Sequence, residues 1–149
     1  MKRLINTDNR QLNLSKKYTQ EMDMKPRGLW YSIDNEWLDW CKGNEFYTAK
    51  GLIEIEIDTT QIMVVQTRQQ LDLFIDKFGY NLTSRVKYID WQKLATVHSG
   101  VEFRDFYKIR SGFRSLLDLP TWYYALDCSS GCIWDLSIIK SQNYKDLPK

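Results

Sequence analysis

The carboxylate of Asp127 is the group whose surroundings most suggest chemistry. It stands in TWYYALDCSSGCIWDLSII, residues 121–139, a stretch with two tryptophans and two tyrosines. An acid beside aromatic rings is partly desolvated, and poised carboxylates of this kind concentrate at functional sites. An Asp before a Ser-Ser-Gly loop can instead bond its own backbone in an Asx turn. Two interpretations are therefore open: a catalytic or ligand-binding acid, and a structural turn residue.

The same stretch predicts a β-hairpin whose register decides what Asp127 faces. With a loop of two or four residues, Asp127 lies opposite Cys132 and shares a face with Tyr123 and Trp134. A three-residue loop with a bulge at Gly131 shifts the register by one residue. The hairpin is expected to build an aromatic wall around the acid only in the first register.

The cysteines and the single histidine favour no catalytic or metal site. Cys41, Cys128 and Cys132 are an odd number of thiols, so a disulfide framework is not expected. The two hairpin cysteines lack the further ligands of a zinc site, and no metal is predicted. His98 precedes Ser-Gly, a context typical of a helix C-terminus, where the dipole favours a cation.

A second candidate group follows Gly28. Trp30, Tyr31 and Ser32 lie in a predicted strand and offer a stacking ring and hydroxyl donors to a planar ligand. Packing in a core explains Trp30 equally well. Glu54 and Glu56 share one face of another strand, where a solvated surface is the ordinary interpretation.

Short strands and helices must position these residues. The clearest strand is GLIEIEID, residues 51–58, whose alternation indicates an antiparallel or edge strand. Residues 29–33 predict a strand, followed at once by a helix NEWLDWC that Asp34 caps and Gly43 ends. The other predicted elements are a short strand in KRLINT, a strand in QIMVVQT, a helix RQQLDLFIDKFG capped by Thr67, a helix WQKLATVHSG opened by Asp90, and either a strand and a helix or two helices in VEFRDFYKIRSGFRSLLDL.

Length and composition fit one globular domain. The chain has 149 residues, taken as one domain over 1–149, with a polar tail from about residue 140 that is expected to be loose. Basic and acidic residues number 21 and 19, so the charge balance does not favour a nucleic-acid-binding protein. No apolar run approaches the roughly 20 residues of a membrane span, which predicts a cytoplasmic protein without membrane contact.

The order of these motifs resembles that of small ADP-ribosyltransferase-like proteins of bacteriophages. The likeness rests on the GLWYS strand followed at once by a helix, the LIEIEID strand, the QIMVV strand before a helix, and the late YYALDCSSGCIW segment. The chain is similar both to early proteins of T4-like phages and to phage anti-CRISPR transferases. The resemblance implies an α+β fold, a split antiparallel sheet flanked by short helices, with NAD in the cleft between its halves.

The resemblance also assigns roles to particular residues. Asp127 matches the late carboxylate that orients the attacking group, and Tyr31 and Ser32 match the second-strand element beside the ribose and nicotinamide. Asn6 stands where the family has a first-strand His, with Arg3 nearby. The implied set is catalytic Asp127, with Arg3, Asn6, Trp30, Tyr31, Ser32, Tyr123 and Trp134 as NAD contacts or cleft walls.

The implied activity is transfer of ADP-ribose from NAD to a host protein in the host cytoplasm. The missing first-strand His and the high aromatic content, 14%, leave an alternative. In that alternative the protein is an inert module that binds and inhibits a host factor through exposed aromatic surface.

Overall fold

Short strands and helices alternate along the part of the chain that the structure, a computed structural model, describes: residues 1–113 and 120–148. In chain order the elements are β1 (Arg3–Thr7), β2 (Leu29–Ile33), α1 (Glu36–Gly43), β3 (Gly51–Ile57), β4 (Ile62–Val65), α2 (Arg68–Phe78), β5 (Gly79–Asn81), β6 (Lys87–Ile89), α3 (Trp91–Ala95), β7 (Gly100–Phe103), α4 (Phe106–Ser111), α5 (Thr121–Tyr124), β8 (Ser130–Ile133) and β9 (Ile139–Asp146). Single 3-10 turns at Thr59–Gln61 and Leu136–Ile138 precede β4 and β9. The fold is mixed α+β in one domain.

The described residues form one seven-stranded sheet in the order β4-β7-β8-β2-β1-β3-β9, and β5 and β6 form a separate small pair. Neighbouring strands run antiparallel except β4 and β7, which are parallel. The expected split into two sheets is wrong, because β8 pairs with β2 on one side and with β7 on the other. Strand β8 thereby joins the strands on its two sides into one continuous sheet.

Strand alternation divides the core into two layers. One layer, on the face that carries α2 to α5, packs Val101, Phe103 and Cys132 against aromatic residues of those helices. The other layer is rich in isoleucine and includes Ile5, Ile53, and Leu136 and Ile138 of the 3-10 turn before β9. The two layers lie on opposite faces because adjacent strand residues point to opposite sides of the sheet.

Local capping signals place the helices. The predicted cap at Thr67 is confirmed, since its side chain accepts from the Gln70 backbone N–H and Gln70 completes a capping box. Asp90 likewise accepts from the Lys93 N–H at the start of α3. The predicted cap at Asp34 is wrong: Asn35 occupies the cap position, and Asp34, at φ 50°, accepts from the Lys2 N–H at 2.7 Å.

The predicted hairpin over residues 121–139 is also wrong. Residues Thr121–Tyr124 form α5, which buries Trp122 and Tyr123 in the helix-side core. Strand β8 begins only at Ser130, and both its edges are already paired with β2 and β7. Asp127 therefore lies in a loop between a helix and a strand, and Cys132 does not face it across a hairpin.

The structure also answers two further predictions, one for residues 101–119 and one for the tail from about residue 140. The strand-then-helix alternative for residues 101–119 is confirmed by β7 and α4, and residues 114–119 of that segment lie outside the described residues. The tail from about residue 140 is not loose: β9 pairs with β3 from Ile57 to Gly51 with one bulge. Backbone hydrogen bonds to β3 hold this strand in place, so its polar sequence does not prevent it from being ordered.

No helix that the structure describes is long and apolar enough to cross a membrane.

The close approach of Tyr31 to Gly131 yields a test of the central strand pair. A methyl group at position 131 would overlap the Tyr31 ring, so Gly131→Ala should lower the free energy of unfolding by about 1–3 kcal/mol. At Gly43 nothing lies within 4 Å, and Gly43→Ala should be neutral or stabilising by up to about 1 kcal/mol. Urea denaturation measures the free energy of unfolding of both variants. Equal effects of the two substitutions would contradict the close packing of Tyr31 against Gly131.

Candidate functional site

A cavity of about 320 Å³ lies on the helix-bearing face of the sheet, over β1 and β2. We call it the Trp30 cavity. Its walls come from the two strands, from α1, from the loop before β8 and from the segment before β2. The lining residues are Leu4, Ile5, Asn6, Lys25, Trp30, Tyr31, Ser32, Trp37, Leu126, Asp127, Cys128 and Ser130.

Strand register brings the polar groups of the floor together. Leu4 of β1 is the partner of Ser32 in β2, and Ser32 is also the partner of Ser130 in β8. Partners in neighbouring antiparallel strands point to the same face, and so do residues two apart in one strand. Trp30 thus lies on the same face as the two serines, whereas Tyr31 points to the opposite face.

Asp127 is held at the cavity by bonds to its loop rather than to its carboxylate. The Tyr107 hydroxyl donates to the Asp127 carbonyl at 2.9 Å, and the Ser129 N–H donates to the Glu36 carboxylate at 2.6 Å. The Ser129 hydroxyl accepts from the Phe106 N–H at 3.1 Å. The loop is pinned between α1 and α4, and within residues 1–113 and 120–148 no hydrogen bond reaches the Asp127 carboxylate.

Ser32 and Asn6 differ in how much bonding capacity they retain. The Ser32 hydroxyl makes a long bond of 3.4 Å to the Leu4 carbonyl, which is easily exchanged for a ligand. Both amide hydrogens of Asn6 are donated, to the carbonyls of Ala49 and Gly51, and its oxygen accepts from the Ala49 N–H at 2.8 Å. Asn6 lines the cavity, but its amide fastens the chain before β3.

Lys25 and Trp37 are cavity residues that the sequence did not single out. The Lys25 ammonium lies 5.6 Å from the centre of the Trp30 ring, within reach of a cation–π contact. Trp37, in the first turn of α1, faces the cavity. The spacing of Trp37, Leu38 and Cys41 predicts only an amphipathic helix, and no local signal distinguishes a residue that lines a cavity from one in the core.

The other predicted NAD contacts lie elsewhere. Tyr123 is fully buried in the helix-side core, and its hydroxyl has no partner among the described residues. Trp134 donates its indole N–H to the His98 carbonyl at 2.8 Å. Neither lines the Trp30 cavity. Arg3 and the Tyr31 hydroxyl lie on the opposite face of the sheet from Asp127, and the backbone of Tyr31 is what remains near the cavity.

That opposite face holds a buried charge network centred on Glu102, which is fully buried. Arg3 donates to Glu102 at 2.6 and 3.3 Å, Arg104 donates at 2.6 Å, and the Tyr31 hydroxyl donates at 2.7 Å. Burial alone would raise the pKa of Glu102, but these donors outweigh it and hold the pKa below its usual value. The one sequence signal was an acid inside the apolar strand GVEF.

The cavity's chemistry does not involve a reactive thiol. Burial, reinforced by the negative charges of Glu36 and Asp127, raises the pKa of Cys128 to about 12. Its thiol stays protonated near neutral pH and behaves as a small apolar group. In the described ranges no three His, Cys, Asp or Glu side chains cluster as a metal site would require. The available groups are a carboxylate, two serine hydroxyls, one ammonium and two indole rings.

Comparisons with known proteins add no family assignment. Neither protein-family models nor curated proteins nor solved structures show a significant match to this chain.

The Glu102 network makes a testable contribution to stability. Glu102→Gln leaves two guanidinium groups without their counter-charge and should lower the free energy of unfolding by about 3–5 kcal/mol. Glu56→Gln, at an exposed position of β3, should change it by less than about 0.5 kcal/mol. Urea denaturation at neutral pH compares the two, and equal losses would contradict the role of the network.

The same carboxylate sets an acid dependence. Because its pKa is depressed in the folded state, its stabilisation is fully present above the usual value of 4.5 and is lost as the pH falls through the folded-state pKa. The gap in unfolding free energy between the wild type and Glu102→Gln should therefore narrow as the pH is lowered below about 4. A gap independent of pH would show that the carboxylate is not ionised in the fold.

Proposed function

We propose that this chain binds NAD in the Trp30 cavity and transfers ADP-ribose to a host protein, as the resemblance to phage ADP-ribosyltransferase-like proteins implies. One observation carries the proposal: Trp30 and Ser32 of β2 line one cavity with Asn6 of β1 and with Asp127, which comes from the distant loop before β8. A ligand that contacts all four residues requires this arrangement.

The lining suits parts of a dinucleotide. Trp30 and Trp37 offer indole rings to a flat heterocycle, and the hydroxyls of Ser32 and Ser130 match the hydroxyls of a ribose. Lys25 supplies a positive charge for a phosphate. At about 320 Å³ the cavity is near the lower end of ligand pockets. It therefore suits one nucleoside half, with the rest of the molecule extending past the rim.

Asp127 has the properties of an electrostatic partner for group transfer. NAD, when bound, supplies a glycosidic bond whose breakage leaves positive charge on the sugar. A carboxylate whose loop is held by hydrogen bonds to its backbone is preorganised to stabilise such charge. The bonds from Tyr107 and to Glu36 fix its loop, so little reorganisation is needed at that moment.

The first strand limits how NAD is held. Asn6 has no amide hydrogen to spare, and Arg3 is committed to Glu102 on the other face. Orientation of the nucleoside therefore falls to Ser32, Ser130 and the two indole rings. This arrangement predicts a transferase that depends more on stacking than on a first-strand hydrogen bond.

Calorimetry with NAD and with ADP-ribose tests the binding step, and label transfer from NAD to host lysate tests the chemistry. Asp127→Asn should keep NAD affinity within a few-fold and lower the transfer rate by about 10²–10³-fold, the loss typical of one electrostatic group. Glu56→Gln is the matched control and should leave both unchanged. An absence of calorimetric NAD binding by the wild type would sink the proposal.

The commitment of Arg3 and Asn6 to structural bonds favours a second candidate, an inert module that inhibits a host factor by binding it. Asp127→Ala separates the two. If affinity purification from host extract captures the same factor with wild type and with Asp127→Ala, and no label is transferred, the inert module is correct. If the factor is captured by the wild type but not by Asp127→Ala, its binding depends on the cavity, and the inert module is not supported.

A further inference from the structure

An exposed aromatic surface lies on α1 beside the Trp30 cavity. Its members are Trp37, Trp40, Phe46 and Tyr47, which we call the α1 aromatic surface. The indole rings of Trp37 and Trp40 are stacked, with centres 5.1 Å apart and planes 10° apart, and Phe46 packs against both. Phe46 is 54% exposed and Tyr47 74% exposed, although side chains of this size are usually covered.

The chain is folded to present this surface. The two tryptophans stand three residues apart on α1, so they share one side of the helix. After the helix, Glu45 adopts a left-handed conformation at φ 53°, and the Phe46 N–H donates to the Cys41 carbonyl at 2.8 Å. This turn returns the chain and sets the Phe46 ring against the tryptophan pair.

The surface is also acidic. Residues 34–45 contain four acids, Asp34, Glu36, Asp39 and Glu45, and one base, Lys42, whereas the whole chain carries a net charge of +2. Asp34, Asp39 and Glu45 are exposed. An excess of acids in this segment disfavours phosphate backbones and anionic lipids as occupants.

We propose that the α1 aromatic surface docks an arginine-bearing basic segment of a partner protein. A guanidinium is flat and weakly hydrated, so it stacks on an aromatic face while its N–H groups reach nearby carboxylates. Phe46 and Tyr47 provide exposed rings, and the exposed acids Asp39 and Glu45 supply negative charge in the same part of the chain. The compact, strongly hydrated ammonium of lysine meets only the charge requirement, and an acidic segment meets neither.

The position of the surface couples it to the cavity. Trp37 both lines the Trp30 cavity and packs against the exposed Phe46 ring, so a segment docked on Phe46 lies near the cavity. Under the proposed transferase activity this surface would hold the acceptor protein. Docking itself needs no NAD, and it can hold or fail independently of that activity.

Three synthetic peptides of one sequence, differing only in whether their central residues are arginine, lysine or citrulline, test the docking without NAD. Tryptophan fluorescence and calorimetry should show the arginine peptide binding several-fold more tightly than the lysine peptide, with the uncharged citrulline peptide weakest. Binding should weaken as salt is added. Equal affinity for all three peptides, or no binding of the arginine peptide, would overturn the proposal.

Variants locate the contact. The double variant Asp39→Asn with Glu45→Gln should weaken the arginine peptide by roughly 5-fold, as expected for two exposed ion pairs. Tyr47→Leu, which removes the most exposed ring of the surface and keeps an apolar side chain, should weaken it by roughly 5-fold. Asp76→Asn, at an exposed position of α2, is the matched control. Circular dichroism checks that each variant is folded, and folded variants with wild-type affinity would overturn the assignment.

A calorimetric NAD titration of the same variants keeps this proposal apart from the proposed function. The double acid variant should bind NAD, if the wild type does, with unchanged affinity. Peptide binding without NAD binding would leave the docking surface standing and remove the transferase. NAD binding without discrimination among the peptides would remove the docking surface and leave the transferase standing.

Discussion

The burial of one ionised carboxylate beneath the sheet, on strand β7, is the constraint on which the rest of the structure depends. Glu102 is fully buried, and a charge there is tolerable only if its hydrogen-bonding capacity is filled. Arg3 from β1, Tyr31 from β2 and Arg104 after β7 fill it. Satisfying this charge obliges strands distant in sequence to meet around β8, with Gly131 leaving room for the Tyr31 ring.

The two faces of the sheet consequently have different roles. The Glu102 face has its polar groups paired with one another and is built for cohesion. The cavity face holds Ser32, Ser130 and Asp127, whose side-chain oxygens have few hydrogen-bond partners among the described residues, and it is open to a ligand. The division follows from strand alternation, since Trp30 and Ser32 flank Tyr31 and must point the other way. One strand of five residues thus serves both faces.

Local signals allowed part of this structure to be predicted. The alternation of residues 51–57 and the caps at Thr67 and Asp90 depend on neighbours a few residues away, and the structure contains them. The partner of a strand is not a local property. Ser130–Ile133 looked like half of a hairpin, but it pairs with β2 and β7 far away in sequence, and the split sheet failed for the same reason. Trp30, Ser32 and Asp127 were identified by resemblance and type. Glu102 escaped notice because its main partner, Arg3, lies 99 residues away.

Strand β9 has a consequence for how the chain reaches its native state. It covers the outer edge of β3, whose isoleucine-rich sequence would otherwise present unpaired backbone groups to any other extended chain. In a nascent chain on the ribosome, the edge of β3 therefore stays unpaired and prone to aggregation until residues 139–146 have emerged. Since β1 pairs with the opposite edge of β3, the sheet cannot be closed from the amino-terminal side alone. The sheet is accordingly complete only once β9 has docked, and the period of greatest aggregation risk ends at that step.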